Sequence, residues 1–564
     1  MNKLKHIYSF DVFDTCLVRT CGTPQNFFDI LSNRVFNKPV PENIRQSFIY
    51  ARRIEEEHRT KQSPFANIYD IYRDFSFPHP DLKGKEEILQ LELALEKEVI
   101  VPVLETRKII TSLRNKGYRI MFISDMYLTY NFIKELLEKY DILEPQDKLF
   151  VSTNIGCSKF DGELFKHIHQ SENIPYKNWT HYGDNKYCDY KVPKSLGIKS
   201  VQINIPYTLY EKEWIKKQNL ATFKTNNIVA GISRSINCSQ EDNPRKKLLI
   251  DVIAPLYCSF VSFIFNDARK RGISRLFFCA RDTFQMFKTA QIINKKYPDI
   301  SIYYLRISRK ALQEENLENI IGYFCQEGLA SNTTKTAIVD NTSSGTTLHY
   351  INEILHSNGY NDVFGYFLIK QWNGAWHTNP NLFYGIIYRD YLPINSHYEP
   401  LFKIYNLFVM EHIFSTNTQK MTIGYKYECN TYKPVFTEEI GDEESILPNA
   451  YQQQEYHTDI LTQYAKNFIN LELNNYACQI LYQLAIPTLI SFFRFPLKEY
   501  SESIMNCSLK LNGYTLPYIK KESLLQLLVS KGQDSWWKRG TAFNSLPQWA
   551  LSLLKKHIKY KNSF

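Results

Sequence analysis

The sequence has no CxxC pair, and its eleven cysteines are an odd and widely scattered set. That excludes a zinc ribbon or a disulfide framework and fits a reducing compartment. It has no internal repeat and no long low-complexity tract. It also lacks an unbroken apolar run of membrane-spanning length. The most apolar stretch, Leu248 to Phe265, is interrupted by Asp251 and Pro255 and reads as a buried helix. The start, MNKLKHIYSF, enters a first strand within a few residues, so no signal peptide is expected. No recognition motif accompanies the basic residues, so no nucleic-acid partner is expected. These absences together lead us to expect a cytoplasmic protein.

What is present is a chain of 564 residues, too long for one ordinary domain, with the 44% hydrophobic and 22% charged composition of globular proteins. Tyr (39) and Phe (36) are abundant, which suits sugar handling but also follows from an A/T-rich coding bias. The net charge is +10, and the tail from Ser501 onward, with ten Lys/Arg and three Asp/Glu, carries +7 of it. Trp536, Trp537 and Trp549 sit among those cations. That mixture suits peripheral contact with the inner face of a membrane; the alternative is a helix whose aromatics pack on a core.

The pattern divides the chain into residues 1–225 and 240–425, which each alternate strand-like and helical segments, and a mostly helical, basic remainder, 426–564. Polar joints lie near Asn219–Ser239 and Gly424–Asn449. The fold expected is α/β: two doubly wound, Rossmann-like parallel-sheet domains plus the helical C-terminal region. In the first domain the strands are His6–Phe10, Tyr118–Ser124, Lys148–Ser152, Trp179–Gly183 and Ser200–Ile203. A helical insert from about 20 to 116, placed to act as a lid, separates the first two.

Chemistry collects at the strand ends. Strand one runs into Asp11-Val12-Phe13-Asp14, strand two into Ser124-Asp125, a helix opens behind Lys159, and strand four ends in Gly183-Asp184 with Asp189 beyond. Carboxylates at such ends lie where open α/β sheets bind ligands; for a single Asp the alternative is a helix cap.

Asp11, Ser124, Lys159 and the Asp184/Asp189 pair, in this order, resemble the four motifs of the haloacid dehalogenase-like (HAD) hydrolase superfamily. The resemblance covers about residues 5 to 205, and the insert resembles that family's cap. SFDVFDTCLVR, SDMYL and HYGDN look like a branch of HAD hydrolases with long C-terminal extensions, often found in bacterial surface-polysaccharide systems. The resemblance implies that Asp11 is a nucleophile forming an aspartyl-phosphate. It implies Mg²⁺ held by Asp11, Asp184 and the Phe13 carbonyl, with Asp189 orienting that shell or Lys159. Ser124 and Lys159 would bind phosphoryl oxygens, and Lys159 would keep Asp11 ionised. Phe13 departs from the pattern: HAD phosphatases usually have an acid there to protonate the leaving oxygen. Asp14, one place later, is either that acid or a helix cap.

In the second domain, strand RLFFCA leads to Arg281-Asp282-Thr283, strand SIYYLRI to Arg309, and strand TKTAIVD to the loop Asn341-Thr342-Ser343-Ser344-Gly345-Thr346-Thr347. A small-residue loop before a helix offers N–H groups and hydroxyls to an anion, and Asp340 suits a sugar diol; the alternative is a capped connection. This stretch resembles the phosphoribosyl-pyrophosphate (PRPP) loop of type I phosphoribosyltransferases, with Asp340 and Asn341 in the acid positions and Ser343, Ser344, Gly345, Thr346 and Thr347 in the 5-phosphate cradle. Arg281, Asp282 and Thr283 fall where that family binds pyrophosphate, and Arg309 near another contact. The two resemblances imply a bifunctional enzyme that transfers 5-phosphoribofuranose from PRPP to a glycan or lipid-linked oligosaccharide acceptor and then removes the 5-phosphate. Alternatives are a stand-alone HAD sugar-phosphate phosphatase with a glycan-binding C-terminal domain, or a catalytically weak HAD scaffold.

Overall fold

The computed structural model describes residues 6–217, 225–241, 246–313, 317–343, 345–370, 383–388, 419–438, 450–494, 510–511 and 514–515. The chain divides into two compact units, Met1–Asp242 and Asn243–Phe564.

In the first unit, β1 (Ile7–Asp11) leads to a short strand β2 (Leu17–Arg19) and the helices α1 (Pro24–Arg34), α2 (Glu42–Gln62), α3 (Ile68–Asp74) and α4 (Lys85–Val99). Strand β3 (Ile100–Pro102) returns antiparallel to β2, with Val18 opposite Val101. The insert therefore leaves and re-enters the core through one paired seam. It ends at Val99 rather than near residue 116, because α5 (Leu104–Asn115) is the crossover helix to β4 (Arg119–Ser124). Arg52 on α2 is wholly buried, bonded through Nη2 (2.7 Å) and Nε (3.0 Å) to Glu92 on α4. A charge buried there is tolerable only because it is paired and hydrogen-bonded.

Helix α6 (Tyr130–Lys139), β5 (Lys148–Val151), α7 (Glu163–Ser171), β6 (Trp179–Gly183), β7 (Lys199–Gln202), α8 (Leu209–Lys216) and α9 (Thr225–Ser239) complete the unit. The sheet order is β5-β4-β1-β6-β7, with every neighbouring pair parallel. Ile7, Met121, Ile123, Leu164, Phe165 and Trp179 form the core beneath one face. Helix α9 lies in this unit, so the unit runs past the boundary expected at residue 225.

The second unit opens with helix α10 (Lys246–Arg271), the one described helix long and apolar enough to cross a membrane; it is buried inside the unit. Pro255 lacks an N–H, and its ring would clash with the carbonyl four residues back at Asp251. The helix widens into a π-turn over Leu249–Ile253. Then come β8 (Arg275–Cys279), α11 (Phe284–Ile293), β9 (Ser301–Leu305), α12 (Leu317–Glu327), β10 (Thr336–Ser343), α13 (Thr346–Ser357), β11 (Phe364–Lys370) and β12 (Phe383–Tyr388). The sheet order is β12-β11-β10-β8-β9, all parallel. Unbroken runs such as LFFC and AIV suit strands covered on both faces.

The region after residue 426 is not simply helical. A hairpin, β13 (Thr422–Glu428) and β14 (Thr431–Phe436), forms its own two-stranded sheet and packs on the α/β layer. Its Tyr425 is buried, stacks on Tyr323 of α12 at 4.4 Å, and donates its hydroxyl to the Arg306 carbonyl at 2.8 Å. Helix α14 (Ala450–Asn470) also docks on this layer, where the Gln285 Nε2 of α11 donates to the Gln454 carbonyl at 3.3 Å. The Trp-rich tail lies outside the described residues.

Candidate active site

Parallel strands deliver their ends to one edge, and the register decides which residues meet there. Asp11 is level with Ile123, so Ser124 stands one residue further along the adjacent strand, fully buried. On the other side of β1, β6 ends at Gly183 and Asp184 follows. A π-helical turn, Lys186–Lys191, begins at Asn185, whose side chain accepts from Tyr187 and Cys188 N–H. That turn brings Asp189 back over the strand end. It passes so close that a Cβ on Gly183 would meet the Asp189 Cβ at 2.4 Å.

Lys159 joins the acids. Its Nζ donates to Asp11 Oδ1 at 2.5 Å and to Asp189 Oδ1 at 2.7 Å, and all three residues are buried. Asp125, to which sequence reasoning gave no role, places this lysine: its Oδ2 accepts from the Ser158 hydroxyl (2.7 Å) and the Lys159 N–H (2.8 Å). Asp11, Asp184 and Asp189 each offer a carboxylate oxygen, all within 4.8 Å of one another, a grouping able to hold a metal ion.

The electrostatics differ from the expectation that Lys159 simply keeps Asp11 ionised. Burial, aided by Asp189 and Asp184, outweighs the lysine and pushes the Asp11 carboxyl up to about 7. Burial and the charges of Asp14 and Asp189 push Asp184 up to about 6. Asp189 goes the other way: burial opposes its charge, but the His181 hydrogen bond and Lys159 hold it well below the carboxylate range. Lys159 is held protonated against burial by Asp11 and Asp189.

Asp14 is not a helix cap, since Thr23 caps α1 and accepts from Asn26 N–H at 3.3 Å. It occupies a left-handed turn (φ 55°) and faces Arg234 of α9. Phe13 is turned toward the base of the insert, its ring 4.9 Å from the Arg19 guanidinium, which is paired with Glu96 at 2.5 Å. A cleft of about 670 Å³ opens between insert and core, with Phe28, Arg53 and Glu56 of the insert on one wall and Asp125, Tyr127 and Ser158 of the core on the other; Asp11, Asp184 and Asp189 do not line it.

In the second unit, β8 and β10 are neighbours while β9 and β11 lie on opposite sides of them. This is a topological switch point, where doubly wound sheets bind ligands. Arg281 and Asp282 follow β8, Asp340 lies within β10, and Gly345 follows that strand. Both acids act on Cys279, whose thiol is pushed up by burial and then by Asp340 and Asp282. Other expected contacts are placed differently. Thr283 is fully buried and donates its hydroxyl to the Cys279 carbonyl at 2.7 Å, so it does not face a ligand. The expected loop is largely strand: Thr342 and Ser343 pair with Ile369 and Lys370 of β11, and the Asn341 side chain is buried. Only Ser344 and Gly345 (φ 89°) separate β10 from α13, which begins at Thr346 and Thr347; Ser344 lies outside the described residues. Ladder pairing straightens the backbone that a phosphate cradle would need to curl. Arg309 is exposed at the start of a helical turn whose cap, Ser308, accepts from Ala311 N–H at 3.1 Å.

No family model and no curated protein matches the sequence. Among solved structures, the chain is similar to the HAD family enzyme BT-2542 of Bacteroides thetaiotaomicron, at 15% identity over 36% of this chain and 95% of that one, with a TM-score of 0.27. The magnesium complex of the same protein gives 16% identity over 36% and 94%, with a TM-score of 0.26. A HAD phosphatase from Thermococcus onnurineus gives 17% over 36% and 88%, with a TM-score of 0.27. At these identities and scores the likeness establishes nothing about activity, which rests on the residues of the site.

Proposed function

We propose that the first unit is a magnesium-dependent phosphatase of the HAD type. The observation that carries this reading is the buried Asp11–Lys159–Asp189 group, with Asp184 beside it, at the ends of adjacent parallel strands. Asp11 attacks phosphorus, the bond to the leaving oxygen breaks with its electron pair going to that oxygen, and water then attacks the phosphorus of the aspartyl-phosphate, releasing phosphate and freeing the Asp11 carboxylate. Ser124 and Lys159 bind phosphoryl oxygens and stabilise their charge. The donor set fits a hard divalent cation: three carboxylates within 4.8 Å, two of them raised by burial first and by neighbouring carboxylate charge second. Asp11 and Asp184 would hold Mg²⁺ with the Phe13 carbonyl, and a cation there screens nucleophile from phosphate. Asp189 carries Lys159. The test is Mg²⁺-dependent hydrolysis of p-nitrophenyl phosphate or ribose 5-phosphate, lost in Asp11→Asn. A wild-type chain without such activity would leave the scaffold reading.

For the second unit we infer a phosphosugar site at the β8/β10 switch point, supported by Arg281 and Asp282 on one side and Asp340 and Gly345 on the other. The finer reading is transfer of 5-phosphoribofuranose from PRPP to a glycan or lipid-linked oligosaccharide acceptor in bacterial surface-polysaccharide assembly, with the first unit removing the 5-phosphate. Incubation with PRPP, Mg²⁺ and candidate acceptors would then release pyrophosphate first and phosphate second, and Asp340→Ala would stop both. Phosphate release without pyrophosphate would leave only the phosphatase.

A further inference from the structure

A chain of buried hydrogen bonds runs from the carboxylates down into the sheet. Ser9 of β1 and His181 of β6 are register partners, and both are wholly buried. Trp179 Nε1 lies 2.7 Å from Ser9 Oγ, Ser9 Oγ lies 2.7 Å from His181 Nδ1, and His181 Nε2 lies 3.2 Å from Asp189 Oδ1. The donor inventory sets the directions: an indole N–H only donates, so Ser9 accepts from Trp179, and an ionised carboxylate only accepts, so in the neutral ring His181 carries its hydrogen on Nε2 and the Ser9 hydroxyl donates to Nδ1. Nδ1 is then the bare nitrogen, and Nε2 carries the hydrogen that Asp189 accepts. The opposite tautomer would set a lone pair against a carboxylate. Phe165 walls the ring edge-on, with centroids 5.1 Å apart.

This is an expensive way to fill a sheet core. Two apolar side chains would pack there without desolvating a hydroxyl and an imidazole. A fully satisfied buried network instead fixes one geometry. The geometry it fixes ends on Asp189 Oδ1, the same oxygen that accepts from Lys159, whose other partner is Asp11. Asp189 Oδ2 is held separately by the Asn185 N–H at 3.1 Å.

We propose that His181 is a positioning residue of the phosphoryl site: locked as the Nε2–H tautomer by Ser9, it fixes Asp189 and, through Asp189, the reach of Lys159 to Asp11. It touches no substrate. The proposal rests on the phosphatase reading for its kinetic test and stands apart from it for its spectroscopic one.

The kinetic test compares His181→Gln, which keeps an N–H near the place of Nε2, with His181→Leu, which removes it. With p-nitrophenyl phosphate and Mg²⁺, kcat falls about 10- to 100-fold in His181→Leu and stays within about threefold of wild type in His181→Gln, at matched melting temperatures. Rescue by the glutamine is what a merely structural role would not produce. Equal loss in both variants, or full activity in His181→Leu, overturns the proposal. Should the wild-type chain hydrolyse nothing, the phosphatase reading fails on its own, and NMR of the full chain with ¹⁵N-labelled His and Lys decides this one. An Nε2–H tautomer at His181, and a Lys159 Nζ signal that moves in His181→Leu but holds in His181→Gln, supports it. An Nδ1–H tautomer, or a Lys159 signal indifferent to both changes, overturns it.

Discussion

Asp14 and Arg234 meet across 220 residues of sequence: both terminal guanidinium nitrogens lie within 3.5 Å of Asp14 Oδ1. The same guanidinium lies 4.9 Å from the Tyr207 ring and donates through Nε to the Ile205 carbonyl at 3.1 Å. The acid one place past the expected position is thus engaged by a helix that comes after the whole sheet.

The pair is long, and a third of the Asp14 side chain is exposed, so it contributes less than about 1 kcal/mol. The backbone matters more. At φ 55° an ordinary L-residue costs about 1–2 kcal/mol. Asp14→Gly is therefore expected to be more stable than Asp14→Ala by about 1 kcal/mol, which urea denaturation of the two variants will measure.

Phe13 has no proton to give, and its ring lies against Arg19. Turnover should depend steeply on how basic the leaving oxygen is. A general acid supplies about 100-fold or more, so kcat/KM for p-nitrophenyl phosphate should exceed that for ribose 5-phosphate by at least about 100-fold. A ratio near one would instead place a working acid in the site, and Asp14→Asn would then abolish hydrolysis of the sugar phosphate alone.

Lys159 is the buried cation between two buried acids. Lys159→Met leaves them uncompensated and should cost about 3–5 kcal/mol at pH 8 without Mg²⁺. Part of the loss should return at pH 5, where Asp11 takes up a proton. A melting temperature equally depressed at both pH values would contradict this.

Asp11 and Asp184, at about 7 and about 6, lie above their unfolded values. Between those unfolded values and pH 7 the folded chain binds more protons, so their contribution to stability falls as pH rises. Asp189 has the opposite sign, and its contribution is lost only in strong acid. A cation on the cluster must displace the protons. Apparent Mg²⁺ affinity should therefore weaken below pH 6, by up to about tenfold per pH unit for each proton displaced. Calorimetry in buffers of different ionisation enthalpy will show proton release at pH 6 and little at pH 8.

Gly183→Ala should fail for a geometric reason. The new methyl would overlap the Asp189 Cβ and side chain at 2.4–2.8 Å, and Asp189 must move with Lys159 attached. Activity should drop at least as far as in Asp189→Asn, with about 1–3 kcal/mol lost in denaturant titration.

Much of this site is legible in the chain because parallel strands announce their ends: an apolar run stops and an acid or a serine follows, as at Asp11, Ser124 and Asp184. Other parts have no such signature. Arg234 reaches Asp14 only through the fold. His181, in WTHYG, reads as one more core residue until the register sets it opposite Ser9. The insert's true end at Val99 is hidden because α5 carries the same helical periodicity as the helices before it. In the second unit, AIVDNTSSG reads as strand then loop, whereas pairing with β11 carries the strand on to Ser343. Polar residues extend a strand when a neighbour supplies the ladder, and the neighbour is invisible from the sequence of the strand itself.

The three-residue strands β2 and β3 have a consequence for how such a chain diversifies. The chain from Thr20 to Val99 leaves and rejoins the core through one small two-stranded stitch, while the strands that end at Asp11, Ser124 and Gly183 are built wholly outside it. A different helical segment spliced between Arg19 and Ile100 would change the cleft wall formed by Phe28, Arg53 and Glu56 and leave the strands beneath the carboxylates in place.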